Sequence, residues 1–203
     1  MDESDFNLKH QNENIESKIV ASLERISQAF RVLLWQESKE HVLSPIQVQV
    51  LIFLLNHSDE KRKVSYLADE FNMTKATISE TIKTLEQKNL ITKKYEPRDT
   101  RSYIIYLTEK GKEIADKTSF FTKQISNPIQ KLTDDDKENM LQSLMDIIQQ
   151  LNRSGIITIQ RMCKTCSYFE PSKEGKLPYC NLLNQILETA DLRIDCPEHK
   201  MKA

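Results

Sequence analysis

The chain has 203 residues, 38% of them apolar and 29% charged, with a formal net charge of −1 and only three glycines. That is enough for one or two water-soluble domains with a core of their own, and too little glycine for a β-rich or low-complexity protein. The opening MDESDFNLKHQNEN is acidic and polar, without the apolar stretch of a secretory signal, and the longest apolar run, Val50 to Leu55, is far short of a membrane span. A cytoplasmic protein is expected.

Residues 1–12 read as a flexible tail. From Asn14 to Glu37, the residues Ile15, Ile19, Leu23, Ile26, Phe30 and Leu33 recur at steps of three and four, which predicts a long amphipathic helix. Trp35, near its end, is expected to be half-buried, packing against the core. Ser44-Pro45-Ile46-Gln47 combines a capping serine, a proline at the first helical position and a glutamine able to close a capping box. The helix it opens, Pro45 to about His57, is apolar almost all round and should be the buried centre of its lobe. Ser58 to Lys63 follows as a polar loop, whose basic half either reaches a phosphate or is simply solvated.

Residues 64–108 carry the sharpest pattern. Val64, Leu67, Ala68 and Phe71 share one face of a short helix, and Asn72-Met73 interrupts it. Thr74 is a good N-cap for a second helix, in which Ile78, Ile82 and Leu85 form one apolar stripe. Its other face holds Lys75, Thr77, Ser79, Glu80, Lys83 and Thr84. Two helices of this length across a tight turn make a helix-turn-helix, whose second helix presents a polar face to the DNA major groove. Asn89 tolerates the left-handed conformation that ends such a helix. Leu90 to Thr92 and Tyr103 to Leu107 then read as two strands around a cationic tip that includes Arg98 and Arg101, a wing placed to reach phosphates or the minor groove. Between residues 61 and 101 there are ten Lys or Arg and six acids, a balance of +4, so the remainder of the chain carries −5. Positive charge gathers where the geometry would put DNA.

The stretch TKATISETIKTLEQKNLITKKYEPRDTRSYIIYLTEKG resembles the MarR family of winged-helix transcriptional regulators. The likeness rests on Thr74, Ile78, Ser79, Ile82, Leu85, Leu90 and Ile91, then Asp99, Arg101, Leu107, Thr108 and Gly111. Asn89 stands where the family usually has glycine, and Glu80 where a basic residue is frequent. The resemblance implies a mainly α, α+β winged helix-turn-helix fold over residues 13–154. It also implies a symmetric homodimer, a recognition helix from Thr74 to about Lys88, Arg101 entering the minor groove, and a pocket for a small-molecule effector. Lys75, Thr77, Ser79, Lys83, Arg98 and Arg101 are the candidate DNA-binding side chains.

After the wing, Thr108 should cap a helix running through Ile114 and Phe121 to Ile125, with Pro128 kinking or ending it. Thr133 and three aspartates open the last long helix, where the dipole favours negative charge. Its stripe is read as Met140 or Leu141, Leu144, Ile147 or Ile148 and Leu151, and Asn152 to Gly155 stops it. The first helix and the two late ones offer more apolar face than one winged domain covers. This predicts a homodimer on double-stranded DNA with a near-palindromic operator.

All four cysteines lie in the last part of the chain, residues 155–203, as Cys163-x-x-Cys166, Cys180 and Cys196. Confinement to so short a window points to one shared site: a C-x-x-C turn converges two thiolates on an ion and the other two complete the shell. So small a segment has little core, and a metal would supply folding energy. Structural zinc held by all four is the first reading. A 4Fe–4S cluster is its rival, since Pro197 follows the fourth cysteine and Tyr168, Phe169 and Tyr179 flank the ligands. A disulfide pair comes third. His199 is expected beside the site rather than in it.

No catalytic set emerges from the four scattered histidines, and no glycine-rich phosphate loop is present, so the chain is not expected to be an enzyme. The functional expectation is a sequence-specific DNA-binding regulator, a repressor, whose cysteine site is structural or senses metal or redox state. The alternative is a redox or electron-transfer accessory protein with an iron–sulfur cluster, using its winged helix for protein contacts.

Overall fold

Asn7 and Asn14 open the first two helices, each accepting backbone amides of its first turn on its side-chain oxygen. The computed structural model describes residues 3–96, 99–172 and 177–202, the side chains of 96 and 99–101 apart. Helix α1 (Leu8–Glu13) falls in the segment read from sequence as a flexible tail, and Ser17 donates a 2.7 Å hydrogen bond to Asp5 that ties the two together. The tail reading missed α1 because a six-residue helix with no apolar stripe leaves only its cap as a signal. Helix α2 (Ile15–Glu40) is long and lies mostly on the surface, with Leu34 and two serines as its buried residues. Trp35 is 52% exposed with Lys39 over its ring, half-buried and outside the main core cluster.

Helix α3 (Pro45–Asn56) begins with the Ser44–Gln47 capping box in both directions. It runs through the middle of the main core and packs against α2, α6, α5 and β2. Val42, on the loop before it, takes a left-handed backbone (φ 53°), an unusual state for a β-branched residue. Helices α4 (Val64–Glu70) and α5 (Lys75–Gln87) follow across a turn in which Asn72 is left-handed. Strands β1 (Ile91–Glu96) and β2 (Asp99–Leu107) form an antiparallel hairpin longer than the sequence pattern suggested, because the pairing continues through polar residues that alternation does not mark.

Thr108 caps α6 (Glu109–Ser119), which ends earlier than predicted. The hydroxyls of Thr118 and Ser119 bond back to carbonyls three or four residues earlier, and the chain tightens into a 3₁₀ turn over Phe120–Thr122. Pro128 then sits inside α7 (Lys123–Gln130). Helix α8 (Asp134–Arg153) starts at Thr133 and ends before Gly155, which takes φ +76°. One face of α8 was expected against a second subunit. Met145, Leu141 and Ile148 instead meet Met162, Leu187 and Leu192 of the same chain, because the C-terminal segment folds back over it. That segment contains the small antiparallel sheet of β3 (Phe169–Glu170), β4 (Tyr179–Cys180) and β5 (Gln185–Ile186).

Candidate nucleic-acid interface and four-cysteine site

Helix α5 is divided into a buried and an exposed face, with Thr81 the polar residue on the buried side. Ile78, Ile82 and Leu85 are fully buried, while Lys75, Thr77, Ser79, Glu80 and Lys83 all face outward. Thr74 accepts the Thr77 amide at 3.1 Å and holds the first turn. Glu80 pairs with Lys83 at 3.7 Å, an exposed contact worth little in itself. At the far end, Lys88 donates to the Val42 carbonyl, tying the end of α5 to the turn before α3.

The wing is fixed to that helix at its base. Asn89 takes φ 57°, Thr108 donates to the Asn89 carbonyl at 2.8 Å, and the Thr108 amide donates to Leu90. Gly111 lies so close that a Cβ there would stand 1.9 Å from the Leu90 carbonyl oxygen, so only glycine fits. Lys93, counted in the sequence as part of a basic tip, is 14% exposed and donates 2.6 Å to Glu86 of α5, with its ammonium over the Tyr103 ring. Burial works to lower its pKa, but the bond to Glu86 and the surrounding negative groups carry the net shift upward. Lys93 is therefore a strut and not a phosphate contact. Arg62 likewise folds inward, onto Asp59 at 3.1 Å and over Tyr106. Arg98 and the Arg101 side chain lie outside the described residues; the Arg101 backbone is in β2.

The four cysteines are free and line one small cavity. Two extended segments bring them there. The Cys163 amide donates to the Arg193 carbonyl and the Cys196 amide to the Arg161 carbonyl, laying the C-x-x-C approach beside the last cysteine. Phe169 pairs with Cys180 across the small sheet. Burial pushes the Cys163 thiol up, against a 3.2 Å hydrogen bond from the Arg193 amide to its sulfur. The Arg193 guanidinium sits 3.6 Å from the Cys196 sulfur and 3.1 Å from Glu198. His199 meets Thr165, inside the C-x-x-C turn, at 3.0 Å, and burial lowers its pKa. It braces the turn from outside, as expected.

Sequence reasoning missed the group that joins this lobe to the winged helix. Arg161 is buried between them, donating to Glu70 (2.7 and 3.0 Å) and Tyr66 (2.8 Å) on α4, and to Asp195 beside Cys196. Its guanidinium also lies over Phe53 and Tyr66. His57, stacked on Phe53 at 3.7 Å, reaches Asp195 at 3.1 Å, and Thr158 donates to the Asp69 carbonyl at 2.6 Å. The available signal was the placement of charged residues next to the cysteines, Arg161 two before Cys163 and Asp195 just before Cys196.

Helices α3, α4 and α5 and strand β1 all fall within residues 43–102, which the MarR family model matches. Over that stretch the chain is similar to the MarR family. Two curated relatives are the HTH-type transcriptional regulator SarZ of Staphylococcus epidermidis, 26% identical over 48% of this chain, and the HTH-type transcriptional repressor YetL of Bacillus subtilis, 27% identical over 54% of it. Each match spans 66% of the relative, just under two thirds of its length. Among solved structures, the MepR–DNA complex of S. aureus superposes with a TM-score of 0.57 at 23% identity, and a MarR regulator of Methanosarcina mazei with 0.53 at 19%. The MepR match takes in 97% of that chain and 65% of this one. At this identity the likeness concerns the MarR fold. Among the described residues, no helix is long and apolar enough to cross a membrane.

Proposed function

We propose that this chain is a MarR-family, sequence-specific DNA-binding transcriptional regulator, acting in the cytoplasm as a homodimeric repressor whose C-terminal cysteines hold a metal site. The observation that carries the reading is the division of α5, with its apolar stripe fully buried and Lys75, Thr77, Ser79 and Lys83 turned to solvent together. A helix so divided is rigidly seated and offers donors of the kind that read base edges and phosphates. Arg98 and Arg101 add two further cationic residues to this stretch of the sequence. Similarity to YetL, named as a repressor, supports the sign of regulation.

The dimer is supported by the stripe on α2. Ile15, Ile19, Ile26 and Phe30 keep 63%, 49%, 46% and 39% of their surface exposed, a row of apolar side chains that a second copy would cover. An effector acting on such a dimer would change the spacing of its two recognition helices. The metal site, built from Cys163, Cys166, Cys180 and Cys196, is either a structural staple or a sensor of metal or redox state.

The test is selection from a random duplex library with the full chain, followed by affinity measurements across a salt series. Near-palindromic sites with half-sites about ten base pairs apart are expected. Lys75→Ala and Lys83→Ala should each lower the slope of log affinity against log salt by about one. A monomer that selects nothing, or variants with unchanged slope, would overturn the proposal.

A further inference from the structure

The spacing of the four thiols discriminates between the metals they could hold. Four thiolates around one zinc at about 2.3 Å stand about 3.8 Å from one another, with no space inside the tetrahedron for anything larger than the ion. Here the sulfurs are wider apart. Among the described residues, the one trio of His, Cys, Asp or Glu whose ligand atoms fall within 4.8 Å of each other is Glu37, Glu40 and His41, so no three of the cysteine sulfurs do. They surround a cavity of about 20 Å³, on a measure by which a single water needs roughly 10–15 Å³. The space between the sulfurs is thus water-sized or larger, too wide for a closed four-thiolate zinc site.

The walls fit a larger guest of a particular kind. Tyr168, Phe169, Leu182, Leu183 and Leu187 line most of the cavity beside the sulfurs, and Asp191, Arg193 and Glu198 complete its wall. A cube of iron and sulfide would present polarizable faces to those apolar side chains between its four corners and be shielded from water by them. Two groups also aim N–H donors at the ligand sulfurs: the Arg193 amide at Cys163 and the Arg193 guanidinium at Cys196. Hydrogen bonds to thiolate sulfur stabilise the ligated, charged form and tune a cluster's potential. Arg193 also brings a positive charge next to a core whose four thiolates leave it net negative.

From this we infer that Cys163, Cys166, Cys180 and Cys196 hold a 4Fe–4S cluster, one thiolate on each iron, in preference to a single zinc ion. The inference rests on the reading that the four thiols make one metal site. The cluster would lie directly behind Arg161 and Asp195, on the same two segments that carry Cys163 and Cys196.

The experiment uses the full chain purified without oxygen from cells supplied with iron, with iron, zinc and acid-labile sulfide measured per chain. About four irons and four sulfides are expected, with a broad visible band near 400 nm that dithionite bleaches. Cys180→Ser should lose that band. Arg193→Met, which removes a donor but no ligand, should keep the iron and shift the reduction potential. One zinc per chain with no sulfide would overturn the cluster while leaving a shared metal site standing. A folded, metal-free chain with four freely titrating thiols would overturn both.

Discussion

The two lobes of this chain are held together by different forces. In the winged-helix lobe, residues from α2 to α6 bury one contiguous apolar core in which Val48, Leu51, Leu67, Ile78, Ile82, Leu85 and Ile105 have no exposed surface. The cysteine lobe buries Met162, Cys163, Leu187 and Leu192, and borrows Met145 from α8 to do so. It docks on its neighbour through a buried arginine and hydrogen bonds more than through a shared apolar surface. The lesson is that a lobe with so little hydrophobic burial depends on what its thiols bind and on what its polar clasp touches, whereas the winged helix needs neither. A lesion in one lobe should therefore leave the other folded.

The sharpest way to break that contrast is at Gly111. A methyl group there would collide with the Leu90 backbone, so Gly111→Ala should destabilise the winged-helix lobe by roughly 3 kcal/mol, read as a fall in its thermal midpoint. The wing should loosen first, and amides of β1 and β2 should exchange faster while those near Cys163 keep their protection. Equal loss in both lobes would mean that the chain unfolds as a single cooperative unit.

The clasp comes next. Arg161→Met keeps much of the side-chain volume but strands Glu70 and Asp195, and should cost about 2 kcal/mol, less than for a fully buried pair because Asp195 retains 45% exposure. The expected signature is faster hydrogen exchange over residues 158–202 and along α4, with the α5 core unchanged. If instead the cysteine lobe stayed docked, Met145 and its apolar neighbours on α8 would be the dominant attachment.

The smallest effect belongs to Lys93. Its folded pKa lies above the usual lysine value of 10.5, so its bond to Glu86 is fully stabilising below that value and is lost as pH rises through the higher folded one. Lys93→Met should remove at most about 1 kcal/mol at neutral pH and flatten the alkaline limb of the stability profile. Its effect on DNA affinity should have a weaker salt dependence than that of Lys83→Ala, since it is a strut and not a contact.

Much of this could be read before any fold was known, because the signals were local. Ser44, Thr74 and Thr108 each cap a helix as their spacing implied, and Asn89 takes the left-handed turn asked of it. A cap, a turn and an apolar stripe are settled within four or five residues, so the chain carries them in plain order. The clustering of cysteines was equally visible. Partners far apart in the chain were not: Arg161 lies 91 residues from Glu70 and 34 from Asp195, and His57 lies 138 from Asp195. Which face of α8 is covered in the same chain, which lysine becomes a strut and how far apart four sulfurs stand depend on how finished elements dock. Docking is decided by the summed shape and charge of surfaces that exist only once the elements have formed.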